Sequence, residues 1–121
     1  MALDQKIILL DAVTVTTDVD ADNAGAAKGL KSRDRNFSFE IIAVKESGTG
    51  NLTVSIQHSF DGTNWYELVS NSSSVLSDTG NQLITPQVGS SEPLQWIRAV
   101  PSESATADYT VTVNALFNKR D

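Results

Sequence analysis

The chain has 121 residues, no cysteine, and a net charge of -6 from 9 basic and 15 acidic residues. The lack of cysteine excludes disulfides, thiolate metal sites and cysteine nucleophiles. The negative charge argues against binding to nucleic acid or to an anionic membrane.

A chain of this length is typical of one domain, so we expect a single β-sandwich domain over residues 1–121. The first predicted strand covers residues 5–17, whose apolar run is too short for a signal peptide or a membrane span. Residues 18–35 follow as a long loop or arm. The alanine-rich stretch 23–30 could form one helical turn there, although two glycines weaken it.

The middle of the chain alternates apolar and polar residues with a period of two, which predicts half-buried strands. Two inward rows are predicted, Phe37, Phe39, Ile41 and Ala43, and then Leu52, Val54, Ile56 and Phe60. The polar loop 46–51 between these strands predicts a hairpin. Asp61-Gly62 predicts a second hairpin, because glycine adopts a positive φ at no steric cost.

Short strands are predicted at 65–70 and 81–85. Leu94, Trp96 and Val100 predict a further inward row, which Arg98 interrupts. The last strand runs from Ala107 to Phe117. The whole pattern predicts an all-β antiparallel β-sandwich of about seven to eight strands, with jelly-roll or immunoglobulin-like topology, which periodicity does not distinguish.

His58 is the only histidine and the first candidate for catalysis. It is in phase with the inward row of its strand, so we expect a hydrogen-bonded structural residue. The chain has no nucleophile elbow, phosphate-binding loop or zinc-peptidase motif. We therefore expect no catalytic residue, no cofactor and no enzymatic activity.

Asp18, Asp20 and Asp22 place carboxylates at every second position, the spacing with which an EF-hand loop begins. The match then fails, because Asn23 stands where that loop needs glycine and Gly29 stands where it needs glutamate. A solvated acidic loop is the preferred interpretation, and a weak Ca²⁺ site is the alternative.

The only basic cluster consists of Lys28, Lys31, Arg33 and Arg35. In an otherwise acidic chain it could reach an acidic neighbouring subunit, although such clusters are more often simply solvated.

Two neighbouring aromatic residues, Trp65 and Tyr66, should point to opposite faces of their strand, one into the core and one outward. The outward ring could stack on a sugar. Trp96 is expected in the core, because it is in phase with Val100.

The segment Val54–Leu68 contains a strand, the run Ser59-Phe60-Asp61-Gly62-Thr63-Asn64-Trp65 and a short strand. It resembles small β-sandwich virion proteins of tailed bacteriophages, including head decoration proteins, and also discoidin-like carbohydrate- and lipid-binding modules. The stretches Pro93–Val100 and Asp108–Val113 favour the phage group, whose members often end in such strands. Discoidin modules often carry a cysteine pair that this chain lacks.

The phage resemblance implies a structural protein of the virion, made in the bacterial host cytoplasm. We expect a capsid decoration or stabilising protein that binds capsid or other virion protein, or its own copies as a homo-oligomer. Sheet edges, loops and residues 1–17 would bury area against neighbours, and many copies would turn modest contacts into a stable lattice. The alternative is a carbohydrate-binding β-sandwich module that uses exposed aromatic residues.

Overall fold

A computed structural model of the chain describes residues 4–15, 24–29, 37–85, 95–104 and 107–118. These residues form eight strands and no helix, which confirms the prediction of an all-β protein. The strands are β1 (Asp4–Val15), β2 (Lys28–Gly29), β3 (Phe37–Ser47), β4 (Leu52–Ser59), β5 (Tyr66–Ser70), β6 (Gly80–Ile84), β7 (Trp96–Glu103) and β8 (Asp108–Asn118).

The strands form two four-stranded antiparallel sheets, with the order β1-β8-β3-β6 in sheet 1 and β2-β7-β4-β5 in sheet 2. The pairs β1–β8, β2–β7, β3–β6 and β4–β5 are all hydrogen-bonded neighbours. The pairs are nested, from the outermost pair β1–β8 to the innermost pair β4–β5. One long hairpin that wraps into two facing sheets has this pairing, and it is called a jelly roll. In an immunoglobulin-like sandwich the first two strands are neighbours in one sheet, whereas here β1 and β2 lie in different sheets.

The core lies between the inner faces of the two sheets and is built from alternate residues of each strand. Sheet 1 contributes the predicted inward residues Phe39, Ile41, Ala43, Tyr109, Val111, Val113 and Ala115, and sheet 2 contributes Leu52, Val54, Ile56, Ile97 and Ala99. Burying one large aliphatic or aromatic side chain contributes about 1.5–3 kcal/mol relative to leaving it exposed. These rows therefore stabilise the sandwich. The side chains of Phe37 and Phe117 lie outside the described part.

The predicted inward row of β7 is wrong, because the buried residues are Ile97 and Ala99 and the outer face carries Trp96 and Arg98. The prediction took its phase from Val100. This residue is buried, although its side chain lies on the opposite face of β7 from Ile97 and Ala99. Leu94, the other member of the predicted row, lies outside the described residues.

The loop between β3 and β4 is not a hairpin, because β3 belongs to sheet 1 and β4 to sheet 2. Gly48 takes a φ of 80° where the chain crosses from one sheet to the other. The hairpin predicted at Asp61-Gly62 is confirmed: it joins β4 to β5, and Gly62 also has a φ of 80°. Residues 24–29 of the predicted arm form no helical turn, and the last two of them are β2.

Candidate interaction surfaces

The loop after β4 is held by one carboxylate. Asp61 Oδ1 accepts hydrogen bonds from the backbone N–H groups of Thr63 and Asn64, each at 2.9 Å, and from Ser59 Oγ at 3.0 Å. The Nδ2 of Asn64 donates to Asp61 Oδ2 at 2.9 Å. These bonds hold the pKa of Asp61 far below its ordinary value, the backbone donors most strongly. The loop therefore delivers Trp65 to the start of β5 in a defined position.

Trp65 stacks on Arg98 at the outer face of sheet 2. The guanidinium carbon lies 4.3 Å from the centroid of the Trp65 ring, which is cation–π geometry. Arg98 Nε also donates to Oε1 of Gln57, its cross-strand partner on β4, at 2.8 Å. Burial lowers the pKa of Arg98, which stays positively charged at neutral pH. The result is a fixed cation on the surface of an acidic chain.

The strands around this pair present polar side chains to solvent. Arg98, Gln57 and Glu67 form one cross-strand row over β7, β4 and β5. Glu67 accepts a hydrogen bond from Ser55 Oγ at 3.1 Å, so its carboxylate is turned along the sheet. We name Trp65, Arg98, Gln57 and Glu67 the Trp65–Arg98 site, which therefore carries a donor, an amide and an acceptor in line.

Trp96 is half-buried and not part of the core, contrary to the prediction. A Cβ built on Gly29 would lie 3.5 Å from its ring, and one built on Gly62 would lie 3.7 Å from its Nε1. The indole thus packs between the short edge strand β2 and the loop after β4. This position makes Trp96 a structural bridge, since much of its ring is covered by these two backbone segments.

Neither member of the predicted pair Trp65 and Tyr66 enters the core. Trp65 is half-buried against Arg98, and Tyr66 is 62 % exposed at the start of β5. Phe60 was predicted in an inward row, and this is wrong: β4 ends at Ser59 and Phe60 is 73 % exposed in the loop. Tight turn bonds at Ser59 and Asp61 end the strand before Phe60 can point inward.

His58 is buried on the inner face of sheet 2, next to Ile97 in the cross-strand register. Burial lowers the pKa of its imidazole, so the neutral form is favoured in the folded chain. That environment fits the expectation of a structural histidine.

Of the predicted basic cluster, only Lys28 lies in the described part, in the edge strand β2 and half-buried. Lys31, Arg33 and Arg35, like Asp18, Asp20 and Asp22, lie outside the described residues. Within the described ranges, no three His, Asp or Glu side chains are grouped so that they could hold a metal ion. No helix in that part of the chain is long and apolar enough to cross a membrane.

The outer face of sheet 1 carries a second surface that the sequence analysis missed. Its members are aliphatic side chains that alternate with the buried core residues. This aliphatic face consists of Ile8, Ile42, Val44, Leu83 and Leu116. Leu83 is 61 % exposed, and Ile8 and Val44 are also exposed. The sequence could have predicted this surface, because aliphatic residues occur at the outward positions between Ile7, Ile41 and Ala43 as well as at the inward ones. A strand whose outer face meets only water carries few aliphatic residues on that face.

Asn114 lies in the middle of the aliphatic face, in a row that runs from Ile8 through Asn114 and Glu40 to Leu83. It is only 5 % exposed although it points away from the core. Its Nδ2 donates to Glu40 Oε1 at 3.1 Å. Its Oδ1 is buried and has no hydrogen-bonding partner among the described residues, and an unsatisfied buried acceptor costs about 1–3 kcal/mol.

No family model matches the sequence, and no curated protein matches it. Similar solved chains include one in the structure of infectious bursal disease virus Gx strain, with a TM-score of 0.54 and 15 % identity over 96 % of this chain. The alignment covers 32 % of the viral chain, so this chain spans about a third of that length. PirA, from a crystal structure, matches with a TM-score of 0.45 and 14 % identity over 96 % of this chain and 93 % of PirA. At such identities, the likeness to the viral chain is one of fold alone.

Proposed function

We propose that this protein is a structural component of a virus particle and assembles with further copies of itself through the aliphatic face of sheet 1. The observation that carries the proposal is the aliphatic face itself, on which Ile8, Val44 and Leu83 are 44 %, 41 % and 61 % exposed. A covering subunit would remove those side chains from water, which stabilises the assembly. The role is passive, and no bond is made or broken.

A second copy suits this surface because the aliphatic face carries both signs of charge. Lys6 of β1 and Glu40 of β3 point outward in adjacent cross-strand rows. Two copies related by a two-fold axis present the same patch to each other, so the lysine of one can approach the glutamate of the other. This local balance offsets the repulsion expected between two chains that each carry a net charge of -6.

The sheet face suits assembly better than the free edge of β1, which belongs to the segment 1–17 that was expected to bury area against neighbours. The pairing of β1 with β8 shifts register between Ile8 and Leu10 and again between Leu10 and Val13. Ala12 has a φ of 51°, and its N–H bonds to Thr112 Oγ1. Such bulges twist an edge and hinder the addition of another strand.

Two likenesses support a place in a virus particle. The jelly roll is shared with a chain of infectious bursal disease virus, and the segment around Asp61-Gly62 resembles phage head proteins. On that basis we assign the chain to the capsid decoration or stabilising proteins of a bacteriophage, located in the virion. Co-purification of the chain with a large capsid protein would support that assignment directly.

Native mass spectrometry of the full chain tests the proposed assembly. We expect dimers or larger species, and we expect Leu83→Lys to weaken self-association at least tenfold because it places a charge in the aliphatic face. The matched control is Phe60→Lys, which charges an even more exposed apolar side chain of the β4–β5 loop and should leave association unchanged. A chain that stays monomeric at millimolar concentration would overturn the proposal.

A second candidate function is carbohydrate binding at the Trp65–Arg98 site. It is favoured by a partly exposed indole beside a row of hydrogen-bonding side chains. A glycan array with the folded chain tests it: Trp65→Ala should abolish any signal while the circular-dichroism spectrum stays unchanged. Silence of the wild-type chain on the whole array would remove this candidate.

A further inference from the structure

Arg98 is held in place on two sides before any ligand arrives. Gln57 fixes the Nε edge of its guanidinium through a 2.8 Å hydrogen bond, and Trp65 covers one face at 4.3 Å. The terminal nitrogens have no hydrogen-bonding partner among the described residues, so the open end of the fork remains available. Because the side chain is already ordered, little rotational freedom is left to lose on binding.

A guanidinium fork presents two parallel N–H groups, which match the two oxygens of a carboxylate. Arg98 is half-buried, and its attraction for an anion is therefore less screened than that of an exposed lysine. The geometry of the open end thus selects for a planar anionic group.

Glu67 restricts which anionic ligand can occupy the row. It lies one strand beyond Gln57, about 10 Å from the Arg98 backbone at the usual spacing of strands. A second negative group there would be repelled, whereas a hydroxyl group can donate to the carboxylate. The row therefore fits a molecule with a carboxylate at one end and hydroxyl groups along its body.

The surroundings also favour a sugar over a protein partner. The outward side chains of β4 are Thr53, Ser55 and Gln57, which carry hydroxyl and amide groups. On β7, Arg98 lies between half-buried Trp96 and buried Val100, so exposed apolar surface is small on that side. A protein interface has an apolar and aromatic centre, whereas sugar hydroxyls need a surface of donors and acceptors beside one aromatic ring.

We infer that the Trp65–Arg98 site binds a carboxylate-bearing saccharide of the uronic acid class, with the carboxylate on Arg98 and ring hydroxyls toward Glu67. This inference rests on the second candidate function and is independent of the assembly through sheet 1. Arg98 and Gln57 are thereby specificity residues that distinguish an acidic sugar from a neutral one.

The test is an NMR titration of the ¹⁵N-labelled full chain with methyl glucuronide and with methyl glucoside, which differ only at C6, a carboxylate in the first and a hydroxymethyl group in the second. We expect the Trp65 indole and Arg98 Nε resonances to shift, with at least tenfold tighter binding of the glucuronide. Arg98→Lys should remove this preference, because it keeps the charge but loses the fork. Lys45→Gln removes a cation from β3 in the opposite sheet and should leave glucuronide binding unchanged.

Gln57→Ala provides a second variant if Arg98→Lys disturbs the fold, and it should weaken glucuronide binding several-fold. Equal affinity for both glycosides, with the sugar still bound by Trp65, would overturn the inference and leave carbohydrate binding intact. No binding of either glycoside would remove both. Tighter binding of a glutamate-rich peptide than of the glucuronide would also overturn it, in favour of a protein partner.

Discussion

The side-chain amide of Asn71 donates a hydrogen bond to Gln82 Oε1 over 2.9 Å, and this bond joins the two sheets. Asn71 follows β5 of sheet 2, and Gln82 lies on β6 of sheet 1. The same amide donates to the carbonyl of Leu52 at 3.3 Å, and its oxygen accepts the N–H of Val54 at 2.8 Å. Asn71 is buried and thus forms hydrogen bonds with backbone groups of the central strand β4.

Removal of the Asn71 side chain should therefore be costly. Asn71→Ala leaves the N–H of Val54 without this acceptor, and we expect it to lower the free energy of unfolding by about 3 kcal/mol. The measurement is urea denaturation followed by tryptophan fluorescence. Ser72→Ala, at the exposed neighbouring position, should change the value by less than about 0.5 kcal/mol. Equal midpoints for both variants would contradict the proposed role of Asn71.

Gly25 and Gly29 lie in the same short segment, residues 24–29, and should respond differently to replacement by alanine. The N–H of Gly25 donates to Ala99 O at 2.8 Å, and a Cβ there would lie only 2.6 Å from the carbonyl oxygen of Leu9. Gly25→Ala should destabilise the fold by about 2 kcal/mol, because backbone would have to move. Gly29→Ala places its Cβ at an ordinary 3.5 Å from Trp96 and is the matched control. Thermal unfolding of both variants compares them, and equal loss would refute this packing argument.

The strands with strict alternation were predictable because one residue in two faces the core. The inward residues of β4 from Leu52 to Ile56 follow this rule without exception. Strand β2 was missed, because two residues, Lys28 and Gly29, are too few to show a period. The phase of β7 was missed because burial of Val100 on the outward side imitates a core position.

The candidate surfaces were only partly predictable. Trp65 was identified from its residue type, but its partner Arg98 comes from a distant strand, and only the fold brings the two together. The same holds for Asn114, whose neighbours Ile8 and Glu40 lie on different strands. The alternation along one strand predicts on which face of the sheet a side chain lies. The order of the strands then decides which side chains of other strands lie next to it on that face.

His58 should make stability depend on pH. Its pKa is lowered by burial, so between pH 6.5 and the lower folded value the unfolded chain binds more protons than the folded chain. The stability that neutral His58 contributes to the folded chain is therefore fully present above pH 6.5. It is lost as the pH falls through that window, because the imidazole must then be protonated in its buried position. Urea denaturation at a series of pH values should show a weaker dependence in His58→Gln than in the wild type. Identical pH dependence in the two chains would show that His58 does not contribute.

Asn114→Leu should separate the stability of one chain from its assembly. Replacing a buried amide whose oxygen has no described partner should stabilise the isolated chain by about 1 kcal/mol, since the desolvation penalty disappears. The same change should leave self-association unchanged, because the Asn114 side chain is already buried within one chain and out of reach of a covering subunit. Calorimetry on dilute protein measures the first effect, and native mass spectrometry measures the second. Loss of stability in the variant, or weaker association, would contradict this account of Asn114.

The nested strand pairing also has a consequence for synthesis on the ribosome. Of the six strand pairings in the described part of the chain, only β4–β5 joins strands that are consecutive in the chain. Strand β8 lies between β1 and β3, so the edges of β1 and β3 that face β8 stay unpaired in the nascent chain until β8 has left the exit tunnel. A chain dominated by such distant contacts folds in milliseconds to seconds rather than microseconds. Chaperone demand should accordingly be concentrated on β1, which is made first and waits longest for its neighbour.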